Sequence, residues 1–316
     1  MVLGSIAIFI ALCFVLWLGT GLIVSSVDRF SRGFSLSPFS LSFFVLGFMT
    51  SIPEMAVGDN ALAQGTPDVF VGNLLGGIPV IFLLIIPVLA VLGNGVKVNH
   101  EISPVNLLIT LGVVTAPALF VVDRTVTNLE GWILILLYLA LFVLLEDKKG
   151  GILSALLAKR KKKKPVRRSR GFVMFKILFG ALMVLGSAHF LLELTLYFAN
   201  LIGVLPFYVS LIVLSVGTNI PELSIAIRSV LQGRKDIALG GYLGSASANA
   251  LLFGVLTLLS PAESFNVNHS LVTLFFIVGG LALFYYFYRS RHDISRKEGL
   301  MLFGLYALFA FLELYR

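Results

Sequence analysis

The chain is poor in charge and nearly without cysteine. Only 13% of its 316 residues are charged, whereas a soluble domain carries about 25%. That is too little polar surface to coat a water-soluble globule, which excludes a soluble enzyme and a disordered chain. The single cysteine, Cys13, excludes a disulfide framework and a cysteine-based metal cluster. The strings H-E-x-x-H and G-x-S-x-G do not occur, so the spacings an intramembrane enzyme would need are missing. Acid is scarcer than base, with 16 Asp and Glu against 24 Lys and Arg. Apolar surface is what abounds: 58% of residues are hydrophobic and 27 are Phe. The apolar residues come in long unbroken runs, which excludes a β-barrel, whose strands alternate polar and apolar.

A membrane-spanning helix needs about 20 mostly apolar residues. Ten such stretches occur, at 2–26, 39–62, 69–93, 104–122, 129–146, 171–196, 205–230, 237–260, 268–289 and 297–315. The first lacks the basic start and A-x-A site of a cleaved signal. Lys and Arg favour the cytoplasmic side of short loops. With both termini outside, 22 of the 24 basic residues fall on inner segments, and only Arg124 and Arg316 fall outside. The net charge of +8 is therefore mainly a topology signal. The run from Lys159 to Arg170 marks the longest inner loop. It serves as a topology determinant and linker, or as a contact for anionic lipid. No nucleic-acid module accompanies it. The short loop leaves no room for a regulatory domain, which points to a minimal prokaryotic plasma-membrane protein.

The chain also repeats itself. Shifted by 168 residues, segment 38–77 aligns without gaps on 206–245, and 15 of the 40 pairs are identical. Apolar bias does not supply the matched Pro53, Glu54, Gln64, Asp68 and Gly76. The chain divides into a five-helix half at 1–146, a basic loop at 147–170 and a second half at 171–316, with repeats at 38–93 and 206–261. Five is odd, so the second copy enters the membrane from the opposite side. The expected fold is an all-α polytopic membrane protein of ten transmembrane helices in two inverted five-helix repeats, a plan common among secondary transporters.

The polar residues shared by both copies mark the candidate site. The first copy reads Thr50-Ser51-Ile52-Pro53-Glu54 and the second Thr218-Asn219-Ile220-Pro221-Glu222. A charge at the bilayer centre costs about 2.5–3.5 kcal/mol on insertion scales. No Lys or Arg lies within one helical turn of either Glu in sequence. Carboxylates brought together across the repeat repel unless a cation or proton lies between them. Each Pro also removes the hydrogen bond to the carbonyl four residues back, at Met49 and Gly217. Carboxylate, carbonyl and hydroxyl oxygens suit a hard cation such as Ca²⁺, Na⁺ or Mn²⁺. A protonated, hydrogen-bonded Glu pair at plain proline kinks is the structural alternative. Gly72-Asn73-Leu74-Leu75-Gly76-Gly77 pairs with Gly240-Gly241-Tyr242-Leu243-Gly244-Ser245. Its glycines at i and i+4 permit close packing. Ser245 and Asn249 share a face there.

These paired motifs resemble the calcium/cation antiporter superfamily, whose repeats read roughly G-T-S-L-P-E followed by G-N-x-x-G-S-x-x-x-N/D. The likeness spans essentially the whole chain. It implies exchange of Ca²⁺ or a similar divalent cation against Na⁺, K⁺ or H⁺ by alternating access, without enzymatic activity or a prosthetic cofactor. It also implies that Glu54 and Glu222 are central ligands, that Thr50 and Thr218 ligate through carbonyl or hydroxyl, and that Ser51, Asn219, Ser245 and Asn249 assist. The first repeat departs from the pattern at Met49, Gly77 and Ile81, and Asn249 replaces an acid of many sodium-coupled members. On that pattern the site is short of at least two polar ligands, which points to fewer Na⁺ sites. A cation channel or a transport-inactive scaffold is the competing reading, and it rests on this weakened repeat.

Other polar residues invite weaker readings. Asp59, whose counterpart is Ile227, either extends the ion path or sits at the interface. His189 and Glu193 share a face as a proton relay or a solvated pair. Asp68 and Asp236 are expected just before their helices, as caps.

Overall fold

A computed structural model of the chain describes residues 2–31, 43–44, 47–97, 102–147, 170–231, 236–267, 271–291 and 293–315. The basic run 159–169 and the start of the 38–93 repeat lie outside the described residues.

Away from water, every backbone polar group must be satisfied inside the protein, and a helix does this within one segment. The helices are α1 (Val2–Ser31), α2 (Gly47–Thr50), α3 (Ile52–Ala63), α4 (Pro67–Pro79), α5 (Ile86–Leu92), α6 (Pro104–Phe120) and α7 (Asn128–Asp147). The second half holds α8 (Arg170–Ile202), α9 (Pro206–Val209), α10 (Ser215–Thr218), α11 (Ile220–Leu231), α12 (Asp236–Leu259), α13 (Leu271–Arg291) and α14 (Arg296–Leu314). Wider π-helical turns at Val80–Ile85 and Ser210–Leu214 join α4 to α5 and α9 to α10. With broken pieces taken together, the described helices form ten rods, five in each half. Six of these are long and apolar enough to cross a membrane. Asp68 lies inside the first turn of α4 and Asp236 opens α12, so neither acid precedes its helix as the sequence suggested. Each still meets the favourable end of a helix dipole.

Two short ribbons, which hydropathy gave no hint of, tie the halves together. Strand β1 (Val96–Lys97) pairs with β4 (Asp293–Ile294), and β2 (Thr125–Thr127) with β3 (Ser264–Asn266), both antiparallel. The 168-residue shift exchanges the two ribbons to within one residue of register. In the chain, α6 separates β1 from β2 and α13 separates β3 from β4, so the ribbons sit at opposite ends of these helices. That is the inversion expected when five rods make one copy.

Packing obeys the same symmetry. Lipid tails are as apolar as the helices, so association rests on close fit rather than on expulsion of water. The rod from α4 to α5 and helix α12 occupy the centre. Within their apolar stretches 83% and 78% of residues are buried, against 28% in that of α7. Glycine lets neighbours reach them. A Cβ on Gly76 would run into the Leu211 carbonyl, and one on Gly244 into that of Phe43. The shift carries the first contact onto the second. The contact of Gly131 with Leu258 becomes, likewise, that of Gly299 with Ala90. Overpacking of this kind costs about 1–3 kcal/mol. Gly244→Ala is therefore expected to lower the Tm of the detergent-solubilised protein. Gly304→Ala, with open space around it, is expected to leave Tm unchanged.

Candidate functional site

Two chain breaks build the site. Between α2 and α3 only Ser51 leaves the helix (φ −86°, ψ 6°), and between α10 and α11 only Asn219 does (φ −89°, ψ 13°). Pro53 and Pro221 follow at the second helical position, where a missing N–H costs least. Neither can donate to Met49 or Gly217. The helices resume at once, because the Met55 N–H donates to the Ser51 carbonyl and the Leu223 N–H to that of Asn219, both at 3.1 Å. Glu54 and Glu222 thus fall in the first turns of α3 and α11, where a carboxylate meets the positive end of the dipole.

Both carboxyl groups are buried, Glu54 at 0% and Glu222 at 2% exposure, and their charges act on one another. Each takes a hydrogen bond from a neutral donor. Asn219 Nδ2 donates to Glu54 Oε1 (3.1 Å), and Ser245 Oγ donates to Glu222 Oε1 (2.7 Å). The Thr218 side chain faces Glu54, and that of Thr50 faces Glu222. Ser51 Oγ lies 3.3 Å from Ser245 Oγ. Five oxygens here are buried without a hydrogen-bond partner, Glu54 Oε2, Glu222 Oε2, Asn219 Oδ1, Asn249 Oδ1 and the Tyr242 hydroxyl, and so are the amide nitrogens of Asn73 and Asn249. An orphaned buried polar group costs about 1–3 kcal/mol. The carboxyl and amide oxygens among them are free acceptors, the kind of group that a positively charged ligand satisfies. Among the described residues no third His, Cys, Asp or Glu joins the pair into a metal-binding group. The donor set is carboxylate plus neutral oxygen, which suits a hard cation.

The structure brings together Glu54, Glu222, Thr50, Thr218, Ser51, Asn219 and Ser245 in this network. Asn249 borders it beside Gly77. Met49 and Gly217 flank the breaks, and a Cβ on Gly217 would lie 2.8 Å from Cys13 Sγ, so a side chain there would have to displace the thiol of α1. Asp59 is exposed and stays off the site. His189 and Glu193 pair at 3.4 Å with side chains 44% and 54% exposed, and His189 Nδ1 lies 3.2 Å from Asn60 Oδ1, so the pair sits at the surface of the bundle and outside the buried network. Two site residues escaped the sequence reading. Asn73 Oδ1 accepts from Thr218 Oγ1 at 3.1 Å, and the buried Tyr242 hydroxyl lies close enough to feel the charge of Glu222. Their counterparts, Gly241 and Leu74, carry no side-chain polar atom, so a search for polar residues shared by both halves passes over them.

The family model described as sodium/calcium exchanger protein matches residues 4–145 and 172–315. An antiporter candidate, CaxA of Alkalimonas amylolytica, is 29% identical, with 80% of this chain and 82% of that protein covered. Among solved structures, the sodium–calcium exchanger NCX_Mj aligns with a TM-score of 0.68 at 21% identity, covering 98% of both chains. The H⁺/Ca²⁺ exchanger CAX aligns with a TM-score of 0.73 at 14% identity, covering 98% of this chain and 86% of that one. At these identities the two structures speak for the fold.

Loss of a hydrogen bond to a charged group costs about 1.5–3 kcal/mol, or roughly 10-fold and more in affinity. Ser245→Ala is expected to weaken binding of radiolabelled Ca²⁺ by at least that factor. Ser247→Ala is the control, since its hydroxyl donates to the Leu243 carbonyl of its own helix. It is expected to bind as wild type.

Proposed function

Because the chain belongs to the sodium/calcium exchanger protein family, we propose that it is a secondary antiporter exchanging Ca²⁺ or a similar divalent cation against Na⁺ or H⁺. Glu54 and Glu222 are its central ligands. The observation that carries this reading is the burial of both carboxyl groups within range of each other's charge, each with one oxygen unpartnered. Thr50, Thr218, Ser51, Asn219, Ser245 and Asn249 supply side-chain oxygens, and Met49 and Gly217 supply carbonyls. The transported ions are the cargo, and no prosthetic cofactor takes part.

The exchange follows from the electrostatics. With neither cation nor protons present, the carboxylates repel in a medium that screens poorly. The empty, fully charged site is the least stable form, so the protein passes from one access state to the other loaded with one cargo or its counter-ion. All ten rods cross the membrane in this reading, with both termini outside and the basic loop in the cytoplasm, where it can meet anionic lipid. The ribbons support that arrangement. β1 and β4 lie in segments that charge assigns to the inner side, and β2 and β3 in segments assigned to the outer side. A channel or inactive scaffold would need a degraded first repeat, yet Thr50, Ser51 and Glu54 are all engaged in the network.

Reconstituted in liposomes, the protein is expected to move radiolabelled Ca²⁺ only against an opposing Na⁺ or pH gradient. Running the two gradients separately identifies the counter-ion. Glu54→Gln and Glu222→Gln are each expected to abolish flux. Ca²⁺ flux without any opposing gradient would mean a channel.

A further inference from the structure

The two halves of the site differ, and the differences compensate. In one half the Ser245 hydroxyl donates to Glu222 and faces the Ser51 hydroxyl. The 168-residue shift carries Ser245 onto Gly77, Ser51 onto Asn219 and Glu222 onto Glu54. Where one half has two serines, the other has a glycine and an asparagine. Gly77 has no hydroxyl to give, and Glu54 takes its donor from Asn219 instead. Volume follows the same exchange. A Cβ on Gly77 would lie 2.7 Å from Asn249 Nδ2 and 3.4 Å from Asn219 Nδ2. The two carboxamides fill the space that a serine side chain takes in the other half.

The Asn219 carboxamide is held in one orientation. Its Nδ2 donates both to Glu54 Oε1 (3.1 Å) and to the Ser215 carbonyl (2.9 Å). Both partners are acceptors, so the reversed amide would set oxygen against oxygen. This leaves Asn219 Oδ1 buried and unpartnered.

We propose that Asn219 is the positioning residue for Glu54 and forms a matched pair with Gly77. One carboxamide supplies both the donor and the oxygen ligand that a serine at position 77 would have divided with position 219. The inference rests on the antiporter reading of the site. Its consequence is that the first repeat is not short of polar groups at this point. The missing group has moved from one repeat to the other. An NH₂ group has no lone pair for a cation, so Asn219 holds Glu54 with Nδ2 and meets the cargo only through Oδ1.

The test measures Ca²⁺ binding and Tm in detergent on wild type and three variants. Gly77→Ser alone is expected to lower Tm and weaken Ca²⁺ binding roughly 10-fold, because the new side chain collides with Asn249 and crowds Asn219. Asn219→Leu, similar in volume but unable to donate, is expected to weaken Ca²⁺ binding by about the same factor while Tm holds. A residue that only filled space would leave affinity unmoved in this variant. The double variant Gly77→Ser with Asn219→Ser rebuilds the serine pair of the other half. It is expected to recover the part of the Tm loss that Asn219 causes, since the closer contact with Asn249 remains, and Ca²⁺ affinity to within about threefold of wild type. Wild-type affinity in Asn219→Leu, wild-type behaviour in Gly77→Ser, or a double variant no better than Gly77→Ser would overturn the proposal. If the wild-type protein binds neither Ca²⁺ nor Mn²⁺, the antiporter reading fails, and the Tm comparison still decides the matched pair.

Discussion

Two carboxylates closed off from water cannot stand opposed without positive charge between them. The rest of the molecule is arranged around that constraint. Each acid costs about 2.5–3.5 kcal/mol to place at membrane depth. A helix N-terminus returns about 0.3–1 kcal/mol and a hydrogen bond to the charged group about 1.5–3 kcal/mol. These terms are of the same size, so each glutamate taken alone is tolerated. Their mutual repulsion is not covered, and in the proposed reading the cargo offsets it. Pro53 and Pro221 restart the helices at the point that turns both carboxyl groups toward the positive helix ends.

Bringing the two helix starts together requires backbone contact between the repeats. Lipid gives no hydrophobic reward for burying one apolar helix against another, so shape decides. Gly76 admits the Leu211 carbonyl and Gly244 that of Phe43, so rods of the two halves meet backbone to backbone. At the rim, the two ribbons fasten one half to the other at opposite ends of the bundle. The approximate two-fold relation therefore lives in covalent sequence, in glycine contacts and in strand pairing at once. It breaks at the site itself, where a serine pair faces a glycine and an asparagine.

Much of this was legible in the sequence because duplication writes a signal twice. Apolar run lengths gave the rods, and basic residues gave a consistent set of inner segments. The shared Thr-x-Ile-Pro-Glu motif named the two acids and their hydroxyl neighbours. What duplication cannot reveal is what the copies do differently. Asn73 and Tyr242 have no polar counterparts, so repeat logic hides them. Gly77, compared with Ser245 alone, reads as a lost ligand, and only the folded chain shows Asn219 donating to Glu54 in its place. The ribbons are two and three residues long, below what periodicity can detect. His189 and Glu193 were correctly paired by helical spacing, but their exposure could be read only from the folded chain.

If Glu54 and Glu222 face one another across the repeat, they form one cation site rather than two. Equilibrium Ca²⁺ titration of the purified protein tests it directly by counting ions bound per chain. A single Ca²⁺ per chain is expected, with neutralisation of either glutamate removing that ion entirely. Two ions per chain, of which each neutralised glutamate removes one and spares the other, would contradict it.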